Sequence, residues 1–151
     1  MRTFASAGEL LASVGEHLGY SEWQDVTQER VNLFADATGD HQWIHVDPER
    51  AKEGPFGTTI AHGYLTLSLL PILVGQVYRV DGVRMGINYG LDMVRFPSPL
   101  PTGSKIRAGV EILAADDKGD GWTQLKCRVT IEREGHEKPV CVADALTRLL
   151  I

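Results

Sequence analysis

The densest chemistry in the chain lies in TGDHQWIHVDP, Thr38 to Pro48, where Asp40, His41, His45 and Asp47 fall within eight positions. Such residues could chelate a metal, pass protons, or simply cap helices. His41 and His45 are four apart, so HQWIH differs by one letter from HExxH, in which two imidazoles on one helix face hold zinc. Here Gly39 precedes the pair, Val46-Asp47-Pro48 follows it, and Gln42 stands where the general-base Glu would be. A loop does not hold i, i+4 geometry, and no further carboxylate or His completes a set at motif spacing, so no metal is expected. For His41 the plain reading is a solvated side chain, and for Asp47 a helix cap. Asp40 and His45 differ, because an acid and a base brought together by a tight loop are what proton transfer needs. Spacing alone leaves their function and a structural role evenly balanced.

His62-Gly63 is the second candidate, at the start of an apolar helix. A helix N-terminus presents free N–H groups and the positive end of its dipole. Glycine lets a ligand approach the backbone closely, which suits an oxyanion site. The residues alone favour the simpler account, a glycine fitting a tight turn.

The elements that must position these groups follow from periodicity. In AGELLASVGEHL, residues 7–18, Leu10, Leu11, Val14 and Leu18 share a helical face. A short extended segment is expected near Trp23 to Val26. Thr27 is a plausible N-cap and Gly39 a C-terminal stop for a helix with Val31, Phe34, Ala35 and Thr38 on one face. Asp47-Pro48 caps and opens a short helix over 48–53. The chemistry-rich stretch is therefore expected as a loop between two helices. A long apolar helix spans about 63–78, kinked at Pro71, which cannot donate to the Leu67 carbonyl.

Past Asp81-Gly82 the period becomes two. Ile106, Ala108, Val110 and Ile112 alternate with Lys105, Arg107 and Glu111, and Leu125, Cys127, Val129 and Ile131 with Gln124, Lys126, Arg128, Thr130 and Glu132. Half-buried antiparallel strands result, with DDKGDG and REGHE as turns and two further strands at 84–95 and 139–150. A three-residue loop Arg133-Glu134-Gly135 would set Cys127 opposite Cys141. The expected architecture is α+β, one domain over 1–151 with a sheet wrapped around a central helix.

Composition limits the rest. The chain has 151 residues and a net charge of −5, which argues against nucleic-acid binding but permits an anionic small ligand. No charged residue lies between Gly54 and Arg79, yet Pro71, Gly75 and Gln76 interrupt the apolar run Tyr64–Tyr78, which is too short for a bilayer. No membrane association is expected. MRTFASAGELL lacks the apolar core of a signal peptide. With two cysteines and no CxxC, reduced thiols and a cytoplasmic setting are expected.

FADATGDHQWIHVDPERA resembles the signature of the MaoC-like dehydratases, the (R)-specific enoyl-CoA hydratases, roughly F-A-x-x-[ST]-G-D-x-N-P-[LIV]-H-x5-A. Phe34, Ala35, Thr38, Gly39, Asp40, Ile44, His45 and Ala51 match. GPFGTTIAHGYLTLSLL resembles the family's segment leading through HG into the central helix, and VRFPSPLPTGSKIRAGVEI its R-F-x-x-P-x-x-x-G strand–turn–strand. The resemblance covers about residues 25–113. Gln42 and Trp43 depart from the family's Asn-Pro, which loosens the loop unless Trp43 packs or shapes the acyl entrance. Pro71 within the helix is a further departure.

The resemblance implies a hot-dog fold and a place in fatty-acid metabolism. The implied reaction is reversible addition of water to a trans-2-enoyl-CoA, giving a (3R)-3-hydroxyacyl-CoA. It implies Asp40 and His45 as the acid–base pair holding the water and the Gly63 N–H on the thioester carbonyl. Gln42, Trp43, His62 and Tyr64 would support the site or line the substrate. No cofactor is implied. A homodimer is expected, from the exposed sheet edge and from the resemblance. Rival readings are a 3-hydroxyacyl-[acyl-carrier-protein] dehydratase, a thioesterase, and a non-catalytic hot-dog partner subunit.

Overall fold

The structure is a computed structural model that describes residues 1–151. Strand β1 (Arg2–Phe4) leads into helix α1 (Ala7–Ala12), whose N-cap Ser6 side chain accepts the Glu9 N–H while Glu9 accepts that of Ala5. The helix expected over 7–18 ends six residues early. Gly15 takes a left-handed φ of 90° and donates to the Ile112 carbonyl, and His17–Tyr20 becomes strand β2 on the sheet edge. Pairing with the sheet overrides the helical period, and Val14 is left exposed.

Strand β3 (Gln24–Val26) precedes α2 (Gln28–Thr38), and here the local signals hold. Thr27 accepts the Arg30 N–H, and Gly39 closes the helix at φ 81°, donating to the Ala35 carbonyl. The loop expected after it contains a single helical turn, α3 (Trp43–Val46). Asp47 then accepts the Arg50 N–H at 3.1 Å and caps α4 (Pro48–Lys52).

The long apolar helix is two helices, α5 (Gly63–Ser68) and α6 (Leu70–Val77), meeting at Leu69. Pro71 sits in the first turn of α6, where its missing N–H costs nothing. The expected kink is therefore a break. The helix stops at Val77, and Tyr78 enters β4 (Tyr78–Val80), parallel to β1.

The main sheet adds β5 (Met85–Arg95), β6 (Ser104–Gly119), β7 (Trp122–Arg133) and β8 (Cys141–Leu150) in the antiparallel order β2-β6-β7-β8-β5, with β3 also on β6. Much of DDKGDG continues β6, and the turn narrows to Gly119–Gly121 with Asp120 at φ 53°. Ile106, Ala108, Val110 and Ile112 are fully buried and face Leu65, Leu69, Leu73 and Val77 in one core. Burying a side chain such as Leu73 contributes about 1.5–3 kcal/mol relative to exposure.

Strand β5 forms where expected, and its Met85, Ile87, Tyr89 and Leu91 lie open, with Tyr89 52% exposed. One expectation fails in the sheet. Cys127 stands opposite Ala145, and Cys141 opposite Ile131, because the β7–β8 connection is longer than a three-residue loop. The four-residue stagger separates the cysteines by about 13 Å along the strands, beyond disulfide reach. Both are free, and burial pushes each thiol up to about 12. No helix is long and apolar enough to cross a membrane.

Candidate active site

Three side chains converge where α3 meets the start of α5. Ligand-type atoms of Asp40, His45 and His62 all lie within 4.8 Å of one another. Asp40 follows the left-handed Gly39 and is exposed, its Oδ1 accepting the Gln42 backbone N–H at 3.3 Å. It is thus the main chain of Gln42, rather than its side-chain amide, that reaches the carboxylate.

His45 is 7% exposed. Its Nδ1 lies 2.7 Å from the Ile60 carbonyl, so the proton sits on Nδ1 and Nε2 keeps a bare lone pair. Burial lowers its pKa below the ordinary 6.5 and the adjacent His62 lowers it further, against the opposing pull of the Ile60 carbonyl and Asp40. The result is a neutral base beside a carboxylate.

The support is long-range. Gln28 Nε2 donates to the His45 carbonyl at 2.7 Å, and Gln28 Oε1 accepts from Thr59 Oγ1 at 2.6 Å. The Ile60 N–H donates to the Ile44 carbonyl at 2.9 Å. Together they fasten α3 to the segment that runs into α5.

His62 is the N-cap of α5 and 2% exposed. It has no side-chain capping bond to the helix, so the first N–H groups, that of Gly63 included, keep no partner within the turn. A Cβ on Gly63 would meet the Phe96 ring at 3.0 Å. Phe96 also stands edge-on to Tyr64, which is 70% exposed. One turn along α5 from Gly63, at Leu67, begins an apolar groove of about 380 Å³ between the helices and β5, β7 and β8, lined by Leu67, Leu70, Pro71, Val74, Tyr78 and Leu91 among others.

The remaining sequence candidates separate. His41 Nε2 lies 2.9 Å from Asp36 Oδ1, away from the cluster, and that carboxylate raises its pKa. Trp43 lies beneath the Arg50 guanidinium at 4.3 Å and against Gly54, where a Cβ would meet the ring at 2.9 Å. It supports the loop by packing. Gln28 and the Ile60 carbonyl escape sequence reasoning, and Phe96 falls within the R-F-x-x-P match without a role, since these roles depend on contacts that no local pattern encodes.

The cluster also invites a test as a metal centre. Two imidazoles sharing an ion must aim in-plane lone pairs at one point about 2.0–2.1 Å from each nitrogen. The His45 and His62 rings instead stack at 3.9 Å with planes 24° apart, so as they stand their in-plane lone pairs do not converge on one ion.

Known proteins share this fold. The monoamine oxidase regulatory protein from Archaeoglobus fulgius superposes with a TM-score of 0.77 at 27% identity, over 99% of this chain and 95% of that one. The unliganded R-hydratase PhaJ1 from Pseudomonas aeruginosa shares the fold at TM-score 0.70 and 24% identity, over 93% and 83% of the two chains. 3-Hydroxyacyl-thioester dehydratase Z of Mycobacterium tuberculosis is 58% identical over 148 residues, 98% of each chain. The fold is a hot-dog fold, and the protein is a hydro-lyase of the dehydratase and hydratase kind. The chain belongs to the family described as MaoC like domain, which matches residues 9–133.

Proposed function

We propose that this chain catalyses the reversible addition of water to a trans-2-enoyl-CoA, giving a (3R)-3-hydroxyacyl-CoA. One observation carries the reading: a carboxylate and a neutral histidine with a bare Nε2 lie together near the open N–H end of a helix, and an apolar groove begins one turn along that helix. Water held by Asp40 and His45 loses a proton to His45 Nε2 as its oxygen bonds to C3. The electron pair of the double bond moves toward the thioester oxygen, where the Gly63 N–H stabilises the charge. The pair then returns a proton to C2, and the groove takes the acyl chain. A 3-hydroxyacyl thioester would lose water at the same site by the reverse path, the direction that the name of the 58% identical relative describes.

The protein is proposed to act as a homodimer. The open apolar side chains of β5 lie on a strand with one unpaired edge, a surface that a second copy would cover.

The test is loss of enoyl-thioester absorbance with short, medium and long acyl-CoA substrates and their carrier-protein counterparts. Asp40→Asn and His45→Gln are expected to lower turnover by about 10²–10⁴-fold with the fold intact. Because both groups hold one water, the double variant should lose much less than the product of the single losses. His41→Gln should change little. Near-normal turnover in either Asp40→Asn or His45→Gln would overturn the assignment.

A further inference from the structure

We propose that His62 is a positioning residue that acts on both members of the proton-transfer pair, pinning Asp40 through its Nε2–H and fixing the plane of His45 through its ring. This rests on the acid–base reading above. His62 Nε2 lies 2.9 Å from the Asp40 main-chain carbonyl. A carbonyl only accepts, so the proton is on Nε2, and Nδ1 is then a bare acceptor. That Nδ1 is buried and has no hydrogen-bond partner. An unpaired buried acceptor is a cost, which an apolar ring filling the same space would avoid. The feature that only the imidazole supplies here is the donor to Asp40.

Asp40 needs that anchor. It is exposed, it follows a left-handed glycine, and its carboxylate receives only the long bond from the Gln42 N–H. The His62 ring is gripped on two sides, by Phe34 at 4.9 Å and 57° and by His45 at 3.9 Å and 24°. As N-cap of α5 it also precedes the Gly63 N–H directly. One rigid side chain thus touches the acid and the base and adjoins the oxyanion donor. Proton transfer is sensitive to displacements of about 1 Å, so losing the pin should slow chemistry. Substrate binding should change little, because the groove lining begins beyond His62, at Leu67.

The test compares His62→Phe, which keeps a stacked ring without the donor, with His62→Gln, whose amide reaches the position of Nε2. In enoyl-CoA hydration, His62→Phe should lower kcat by about 10–100-fold with KM within about threefold and no fall in Tm, and His62→Gln should recover much of the loss. Wild-type kcat in His62→Phe, or equal losses in both variants, would overturn the proposal. If His62→Phe does not fold, His62→Asn replaces it, since its amide reaches only the position of Nδ1. Gln active and Asn impaired would support the pin, and equal rates would overturn it. Wild-type enzyme inert on every enoyl thioester would instead overturn the hydratase reading itself.

Discussion

His45 carries a pH signature of definite sign. Its folded pKa is depressed below 6.5, chiefly by burial. Activity should therefore fall on an acid limb centred below 6.5, as Nε2 takes up a proton and ceases to be a base. Stability has a matching sign. Below pH 6.5 the unfolded chain binds a proton at this residue that the folded chain resists, so the unfolded state gains and Tm falls as pH drops. Melts from about pH 5 to 8 should show this slope, and His45→Gln should flatten it. An unchanged slope in the variant would refute the account. That Asp40 and His45 lie together was legible in the sequence, because their types and spacing are local. Gln28 was not, because its partners His45 and Thr59 lie 17 and 31 residues away.

At the level of elements, Asp47 separates structure from chemistry. It caps α4 and takes no part in the cluster. Asp47→Ala should cost about 0.5–2 kcal/mol in thermal or urea unfolding while leaving turnover per folded molecule unchanged. A large loss of turnover would place it in the machinery. Caps of this kind, and the alternation in β6 and β7, could be read directly from residue order. The helix over 7–18 could not, because Gly15 and His17–Tyr20 answer to β6. The turn at Trp43–Val46 is too short to show a period. The strand at β5 was expected, but the exposure of its Met85, Ile87, Tyr89 and Leu91 was not, because burial depends on what packs against a face. The cysteine register failed for a related reason, since the length of the Glu134–Val140 connection decides which residues face one another.

At the scale of the whole molecule, β5 is a sheet edge whose apolar side chains lie open. If a second copy covers β5, light scattering at micromolar concentration should report a dimer, and Ile87→Lys with Tyr89→Lys should yield monomers. A monomeric wild type with full activity would defeat the expectation. The sheet order has another consequence, for how the chain is made. β5 touches only β8 in the sheet, and β8 is the last strand in the sequence. During translation β5 leaves the ribosome with no neighbour to bond, and it waits while β6 and β7 form their hairpin. The apolar faces of α5 and α6 wait with it for a complete cover. Synthesis must pass residue 150 before either is sheltered, so a nascent chain arrested after Pro139 should bind holdase chaperones, whereas release of the full chain should free it.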